Sequence, residues 1–164
     1  RPTTDKIKET LFNILQFDVQ EAVFLDLFAG SGAMGIEALS RGAKLAVFVD
    51  SSRAAESVII ENVSKCGFKD RARIIRAEAS NTVRYISDIK AAERLIIFMD
   101  PPYNKGLEFK VLKELAADGV IRDDTTVIVE EALNADMSAV KDCGLDIYRV
   151  KEYKNQKHVF LRKV

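Results

Sequence analysis

Asp100-Pro101-Pro102-Tyr103 is the stretch whose residue types combine into a small chemical site. Two prolines in succession fix the backbone and remove two N–H donors. The Pro101 carbonyl is then left as an acceptor beside the Asp100 carboxylate. Two fixed acceptors suit a ligand –NH₂ with two donor hydrogens, and Tyr103 supplies a flat face on which a planar base can stack. Such an exocyclic nitrogen is conjugated to its ring and is a poor nucleophile. Holding both hydrogens favours a pyramidal nitrogen whose lone pair can attack an electrophilic carbon held in line. Positive charge then grows on nitrogen, where a carboxylate contributes roughly 3–4 kcal/mol of stabilisation.

A second stretch, VFLDLFAGSGAMGIEALSRG over residues 23–42, contains Gly30, Gly32 and Gly35 in the spacing G-x-G-x-x-G. It follows an apolar run and opens a helical pattern that closes at Gly42. That context reads as a strand–turn–helix unit whose glycines let the backbone approach a nucleoside cofactor. Asp50 ends the next apolar run, where an acidic residue commonly meets a ribose. Asp26 decides the cofactor class. A carboxylate at the end of the first strand would repel the pyrophosphate of NAD and attract the ammonium and sulfonium of S-adenosylmethionine.

The elements that must position these groups alternate. Strands are expected at about 22–27, 45–50, 72–77, 95–100 and 125–129, and helices at about 107–117 and 134–143 among others. The first helix starts at Thr4 as N-cap and packs through Ile7, Leu11, Ile14 and Leu15. The helix after Ser51-Ser52 carries Ala55, Val58, Ile59, Val63 and Cys66 as its apolar stripe and stops at Gly67. A further helical stretch spans Val83, Tyr85, Ile86 and Ile89. Two strands at about 145–152 and 157–163 are separated by so few residues that they must form an antiparallel hairpin. Alternation predicts a doubly wound parallel sheet with right-handed crossovers. Asp26, Asp50, Glu78 and Asp100 all fall at the strand ends where such sheets bind ligands.

At 164 residues the chain is expected to form a single domain over 1–164. It has 25 basic and 25 acidic residues, a formal charge of zero, which leaves nucleic-acid binding to local patches. No apolar run is long enough to span a membrane and no metal spacing appears. Cys66 and Cys143 are read as reduced, buried thiols of a cytoplasmic protein. The opening at Arg1 instead of Met suggests that an N-terminal element precedes it. Arg1, Lys6, Lys8, Lys105, Lys154 and Lys157 are expected near the site. Lys65, Lys69, Arg71, Arg73 and Arg76 are expected at the far end of the sheet. His158 is read as structural.

The 23–43 stretch, Met99-Asp100-Pro101-Pro102-Tyr103 and the opening RPTTDKIKETLFNIL together resemble the RsmD family of small-subunit ribosomal RNA methyltransferases. The resemblance covers most of the chain, with the opening as its family-specific part. It implies a Rossmann-like, seven-stranded class I methyltransferase sheet, mostly parallel with an antiparallel last strand. It implies S-adenosylmethionine as cofactor and guanine N2 of 16S rRNA as target, presented in a small-subunit assembly intermediate or subunit to a monomeric enzyme. The cofactor contacts implied are Asp26, Phe28, Ala29, Gly30, Ser31 and Gly32, then Asp50 and Ser51, then Glu78 and Ala79. Asp100, Pro101, Pro102 and Tyr103 are implied as the catalytic turn. Family members usually carry a basic β-hairpin before the RPTT stretch. An Asp is common where this chain has Ala77-Glu78-Ala79.

The acceptor geometry alone leaves alternatives open. An adenine-N6 methyltransferase needs the same turn. A non-catalytic RNA-binding subunit would show an eroded glycine loop or DPPY turn, and both are intact here. An NAD-dependent oxidoreductase conflicts with Asp26.

Overall fold

The computed structural model describes residues 4–164. Four α-helices and seven strands follow in the order α1 (Asp5–Ile14), β1 (Val23–Leu27), α2 (Ala33–Ser40), β2 (Leu45–Asp50), α3 (Arg53–Lys65), β3 (Ala72–Arg76), β4 (Leu95–Met99), α4 (Leu107–Ala117), β5 (Thr126–Ala132), β6 (Leu145–Glu152) and β7 (Gln156–Lys163). They build one sheet in the order β3-β2-β1-β4-β5-β7-β6. β1 to β5 are parallel, and β7 runs antiparallel to both β5 and β6. The expected seven-stranded α/β sheet with an antiparallel last strand is therefore the fold. The order reverses between β1 and β4, which opens a crevice at their C-terminal ends.

Alternation along the strands divides the core into two layers. Leu25, Val47, Ile97, Val127 and Leu161 point to one side and pack with Val111, Leu112 and Leu115 of α4. Phe24, Phe48, Phe98, Ile128 and Phe160 point to the other side, under Leu11, Phe12 and Leu15 of α1 and Ile59 of α3. β1 and β4 are central and buried at every residue, which is why they read as continuous apolar runs. Thr4 caps α1 by accepting from the Ile7 amide at 3.3 Å, and Ser52 caps α3 through Ala55 at 3.2 Å.

Several expectations need correction. The stretch carrying Val83 to Ile89 is not an α-helix but two 3₁₀ segments, Ala79–Arg84 and Ser87–Ala91. Its short polar residues compete for the backbone: the Thr82 hydroxyl donates to the Ala79 carbonyl at 2.6 Å. The last helix is likewise a 3₁₀ segment, Ser138–Cys143. Cys66 is exposed and Cys143 partly so, because Cys66 sits at the solvent side of the α3 C-cap; both thiols are free. Val58 of the expected α3 stripe is also exposed, leaving Ile59 and Val63 as its anchors. Arg76 lies beside Asp50 in register, at the ligand end of the sheet, since β3 runs parallel to β2. Arg71 is not a free surface cation. It donates to the Leu39 and Ala43 carbonyls and so ties the end of α2 to β3. No helix is long and apolar enough to cross a membrane among the described residues.

Candidate active site

β1 delivers Asp26 into the middle of the sheet, where it is 1% exposed. A carboxylate there needs a donor, and the first turn of α2 has spare amides. The Gly35 N–H donates to Asp26 Oδ2 at 3.0 Å. Burial pushes the Asp26 carboxyl well above the usual carboxylate range; the Gly35 amide opposes that, and the charges of Asp100 and Asp50 add to it. Asp26 thus lies beneath the glycine loop and holds its geometry, behind the lining of the cleft.

Gly35 is required by packing. A Cβ there would meet Phe48 Cε2 at 2.3 Å, so only glycine lets α2 sit on the buried ring. Gly30 serves another purpose. It has φ +59 and nothing within 4 Å of an added Cβ, which leaves its face open to a ligand. Phe28 also has a positive φ, 57°. For a bulky non-glycine residue this costs roughly 1 kcal/mol or more, and such strain gathers where a site dictates the backbone.

Asp50, at the end of β2, holds the other side of the loop. Its Oδ2 accepts from the Gly30 N–H at 2.9 Å and its Oδ1 from the Ser52 N–H at 2.9 Å. Asn62 of α3 donates to the Ser31 carbonyl at 3.0 Å. Ala29 donates to Val49 and Gly32 to Ala29. The loop is therefore pinned from β2, α3 and within itself.

A cleft of about 470 Å³ opens beside this loop, lined by Phe28, Asp50, Ser51, Asp100, Pro101, Pro102 and Tyr103. The two stretches that the sequence marks as chemical, far apart in the chain, share its wall through Phe28 and the Asp100–Tyr103 turn. β1 and β4 are adjacent and in register from Val23↔Leu95 to Leu27↔Met99, which brings the loop after one beside the turn after the other. Glu78 and Ala79 stand apart from this lining. Glu78 is exposed ahead of the Ala79–Arg84 segment, and Ala79 packs into the α4 side of the core. Among the nearby cations, Lys105 and Lys154 are exposed. Lys8 pairs with Asp5 and Glu37, and Lys157 donates to the Ala135 carbonyl at 2.8 Å. Arg1 lies outside the described residues. A cavity of about 590 Å³ exists at the opposite end, around Glu21, Val23, Lys44 and Asp88, where the parallel strands begin and sheets of this kind rarely bind ligands.

Two buried pairs behind the turn, one of two acids and one of an acid with a histidine, had no signal in the sequence. Glu131 faces Glu108 of α4; burial first, and the Glu108 charge second, lift the Glu131 carboxyl to about 7. Glu130, on the other side of the sheet, meets His158 Nε2 at 2.7 Å, and His158 Nδ1 meets the Tyr153 hydroxyl at 3.2 Å. His158 is wholly buried and serves the structure, as expected. Only the register of β5 with β7 brings these residues together.

The donor set fits a cationic nucleoside cofactor. Asp26, Asp50 and Asp100 sit close enough to raise the Asp26 carboxyl, so a ligand carrying positive charge relieves their repulsion. The open face of Gly30 and the strand-end carboxylate of Asp50 suit a ribose and its neighbouring groups.

Comparison with known proteins agrees. The family model described as Conserved hypothetical protein 95 matches residues 1–162. Ribosomal RNA small subunit methyltransferase D of Escherichia coli K12 is 37% identical over 142 residues, covering 85% of this chain and 68% of that protein. The protein of the same name from Haemophilus influenzae is 30% identical over 132 residues, covering 79% of this chain and 67% of its own. Among solved structures, Escherichia coli yhhF superposes with a TM-score of 0.81 at 31% identity, over 99% of this chain and 87% of that one. An RNA methyltransferase from Salinibacter ruber, solved with S-adenosyl-L-homocysteine, shares the fold alone, with a TM-score of 0.74 at 16% identity over 98% and 92% of the two chains. The chain belongs to the family of the ribosomal RNA small subunit methyltransferase D proteins.

Proposed function

We propose that this chain transfers a methyl group from S-adenosylmethionine to the exocyclic N2 amine of a guanine in small-subunit ribosomal RNA. The observation that carries the reading is the shared wall of the cleft, where Asp50 and Ser51 stand across from Asp100, Pro101, Pro102 and Tyr103. The curated relatives named as ribosomal RNA small subunit methyltransferase D support the rRNA as substrate. The N2 position rests on the family resemblance of the RPTTDKIKETLFN opening.

When bound, the cofactor supplies an electrophilic methyl group on a sulfonium. Phe28 through Gly32 would wrap it, with Asp50 on the ribose hydroxyls and Ser51, Glu78 and Ala79 towards the base. Asp26 would act through its charge and through Gly35. Asp100 and the Pro101 carbonyl would accept the two amine hydrogens, and Pro102 keeps that turn rigid. Tyr103 would stack on the target base. As the nitrogen takes on a fourth bond, Asp100 stabilises the growing positive charge and accepts a proton from it.

Mass spectrometry of nucleosides from 16S rRNA treated with this chain and the methyl donor tests the reading. N2-methylguanosine is the expected product. N6-methyladenosine would replace the target while keeping the chemistry, and no methylated nucleoside in either rRNA or 30S subunits would sink the reading.

A further inference from the structure

The helices on the Phe24–Phe160 side of the sheet stop short of its outer edge. Phe160 of β7 belongs to the core on the α1 side, yet β6 contributes no residue to that core. The other side of β6 is packed only at its start, where Leu145 joins Val140 of the Ser138–Cys143 segment, while Ile147 and Val150 are exposed. On the uncovered side the chain has built a specific surface. A bulge interrupts the β6–β7 register between Ile147 and Arg149. Successive residues of a regular strand point to opposite faces, and a bulge can re-aim one of them. Here Tyr148 and Arg149 both turn to the Phe160 side: the Tyr148 ring lies 6.1 Å from that of Phe160, and the Arg149 guanidinium stands 5.6 Å above it. Arg162 stands 5.3 Å over Tyr148. Lys151 joins the same side, in register with His158.

These cations differ from others in the chain. Arg41, Lys65, Arg73, Lys90 and Arg122 each pair with a carboxylate. Among the described residues Arg149, Lys151 and Arg162 have no such ion pair. Asp146, opposite Arg162, and Asp18, which acts on the Tyr148 hydroxyl, lie at the base of the strip. The cations above them run toward the cleft. Lys151 is level with His158 and hence with Glu130, one residue past the Met99↔Val129 pair that precedes Asp100. Three strand spacings separate the columns, about 14 Å.

We propose that this strip, Arg162, Tyr148, Arg149 and Lys151, is an RNA track that carries the substrate strand away from the cleft. It rests on the rRNA reading above. Unpaired guanidinium groups contact phosphates, and the exposed Tyr148 ring and the guanidinium planes offer stacking faces to unpaired bases. Stacking on Phe160 and Tyr148 pre-orients the arginines, so less freedom is lost on binding. A protein partner would be served better by a face with fewer uncompensated charges at its centre.

The test is binding of the chain to a labelled 16S rRNA transcript and to purified 30S subunits across a KCl series. Arg149→Gln, Lys151→Gln and Arg162→Gln together should weaken binding about tenfold or more and flatten the log–log salt slope by about two units, at 0.7–0.9 per lost phosphate contact. Tyr148→Ala should weaken binding roughly fivefold with the slope retained, since stacking releases no counterions. Affinity for S-adenosylmethionine should stay as in the wild type for both, which also certifies the fold. Lys44→Gln, Lys65→Gln and Lys69→Gln together, the same charge change elsewhere on the molecule, should leave RNA affinity unchanged. Wild-type affinity and slope in the strip variant, or an equal loss in that control, would overturn the track while the methylation reading stands. A wild-type chain that neither binds nor methylates either RNA overturns both. If the triple variant misfolds, Lys151→Gln and Tyr148→Ala alone decide, and no effect from either overturns the track.

Discussion

The Gly30 amide donates to the Asp50 carboxylate at 2.9 Å, across twenty residues of chain. The other Asp50 oxygen takes the Ser52 amide, so one side chain joins the glycine loop to the start of α3. The carboxylate shapes the loop before any ligand arrives, and its remaining lone pairs face the cleft.

Asp50→Ala is therefore expected to weaken S-adenosylmethionine binding by about tenfold or more, through the loop and the ribose together. Asp50→Asn should also weaken it, because its –NH₂ cannot accept and one of the two bonds, from Gly30 or from Ser52, is lost. Calorimetric titration checks this. Wild-type affinity in Asp50→Ala would move the ribose contact to another residue.

Asp100→Ala should keep the methyl donor and lose transfer by roughly 10²-fold or more, the scale of removing one electrostatic contact to a developing charge. Single-turnover rates with saturating cofactor separate the two effects. Equal rates would strip Asp100 of its catalytic assignment.

Gly35→Ala should destabilise the fold by about 1–3 kcal/mol, because its Cβ would sit 2.3 Å from a Phe48 ring that is wholly buried. The thermal midpoint should fall by several degrees. Phe48→Leu should restore part of that loss in the double variant but lower stability by itself. Additive losses in the double variant would show that the ring is not what demands glycine.

Glu131→Gln tests the buried acid pair through pH. The Glu131 carboxyl is lifted from 4.5 to about 7 in the folded chain, by burial and by Glu108, with Lys157 opposing and Asp100 adding. The folded state thus holds a proton that the unfolded chain releases, and stability falls as pH rises from about 4.5 through 7. The Gln variant lacks that fall. Its midpoint relative to wild type should rise between pH 5 and pH 8, and Asp26, shifted the same way in both proteins, cancels in the difference. An equal offset at the two pH values would mean that Glu131 titrates normally.

Much of this was legible in the residues themselves. The apolar runs around Asp26 and over 95–99 marked β1 and β4 as strands, and the short 153–155 connection gave the antiparallel hairpin. The glycine loop and the DPPY turn were visible because their chemistry is local. What escaped depended on register. Nothing near Gly35 in the chain announces Phe48, and nothing near Glu130 announces His158, since each pair is made by strands or helices meeting in space. Asp26 showed the right charge, but its burial beneath the loop follows from β1 lying between β2 and β4. The 3₁₀ segments at 79–91 carry helix-like apolar spacing, and Thr82 and its polar neighbours divert the backbone. Cys66 was misjudged because cysteine is usually buried, whereas the α3 cap faces water.

β7 follows β6 in the sequence, yet it lies inside the sheet, between β5 and β6. During synthesis the β5 edge stays open until β7 has left the ribosome, and β6 has no partner in this sheet before then. The seven strands join by insertion of β7, a pairing that sets Val127 beside Leu161 over long sequence separation. The parallel half can assemble early around the cofactor loop, while the half that bears the arginine–aromatic strip waits on β7. A nascent chain of this protein therefore acquires its two halves in a fixed temporal order.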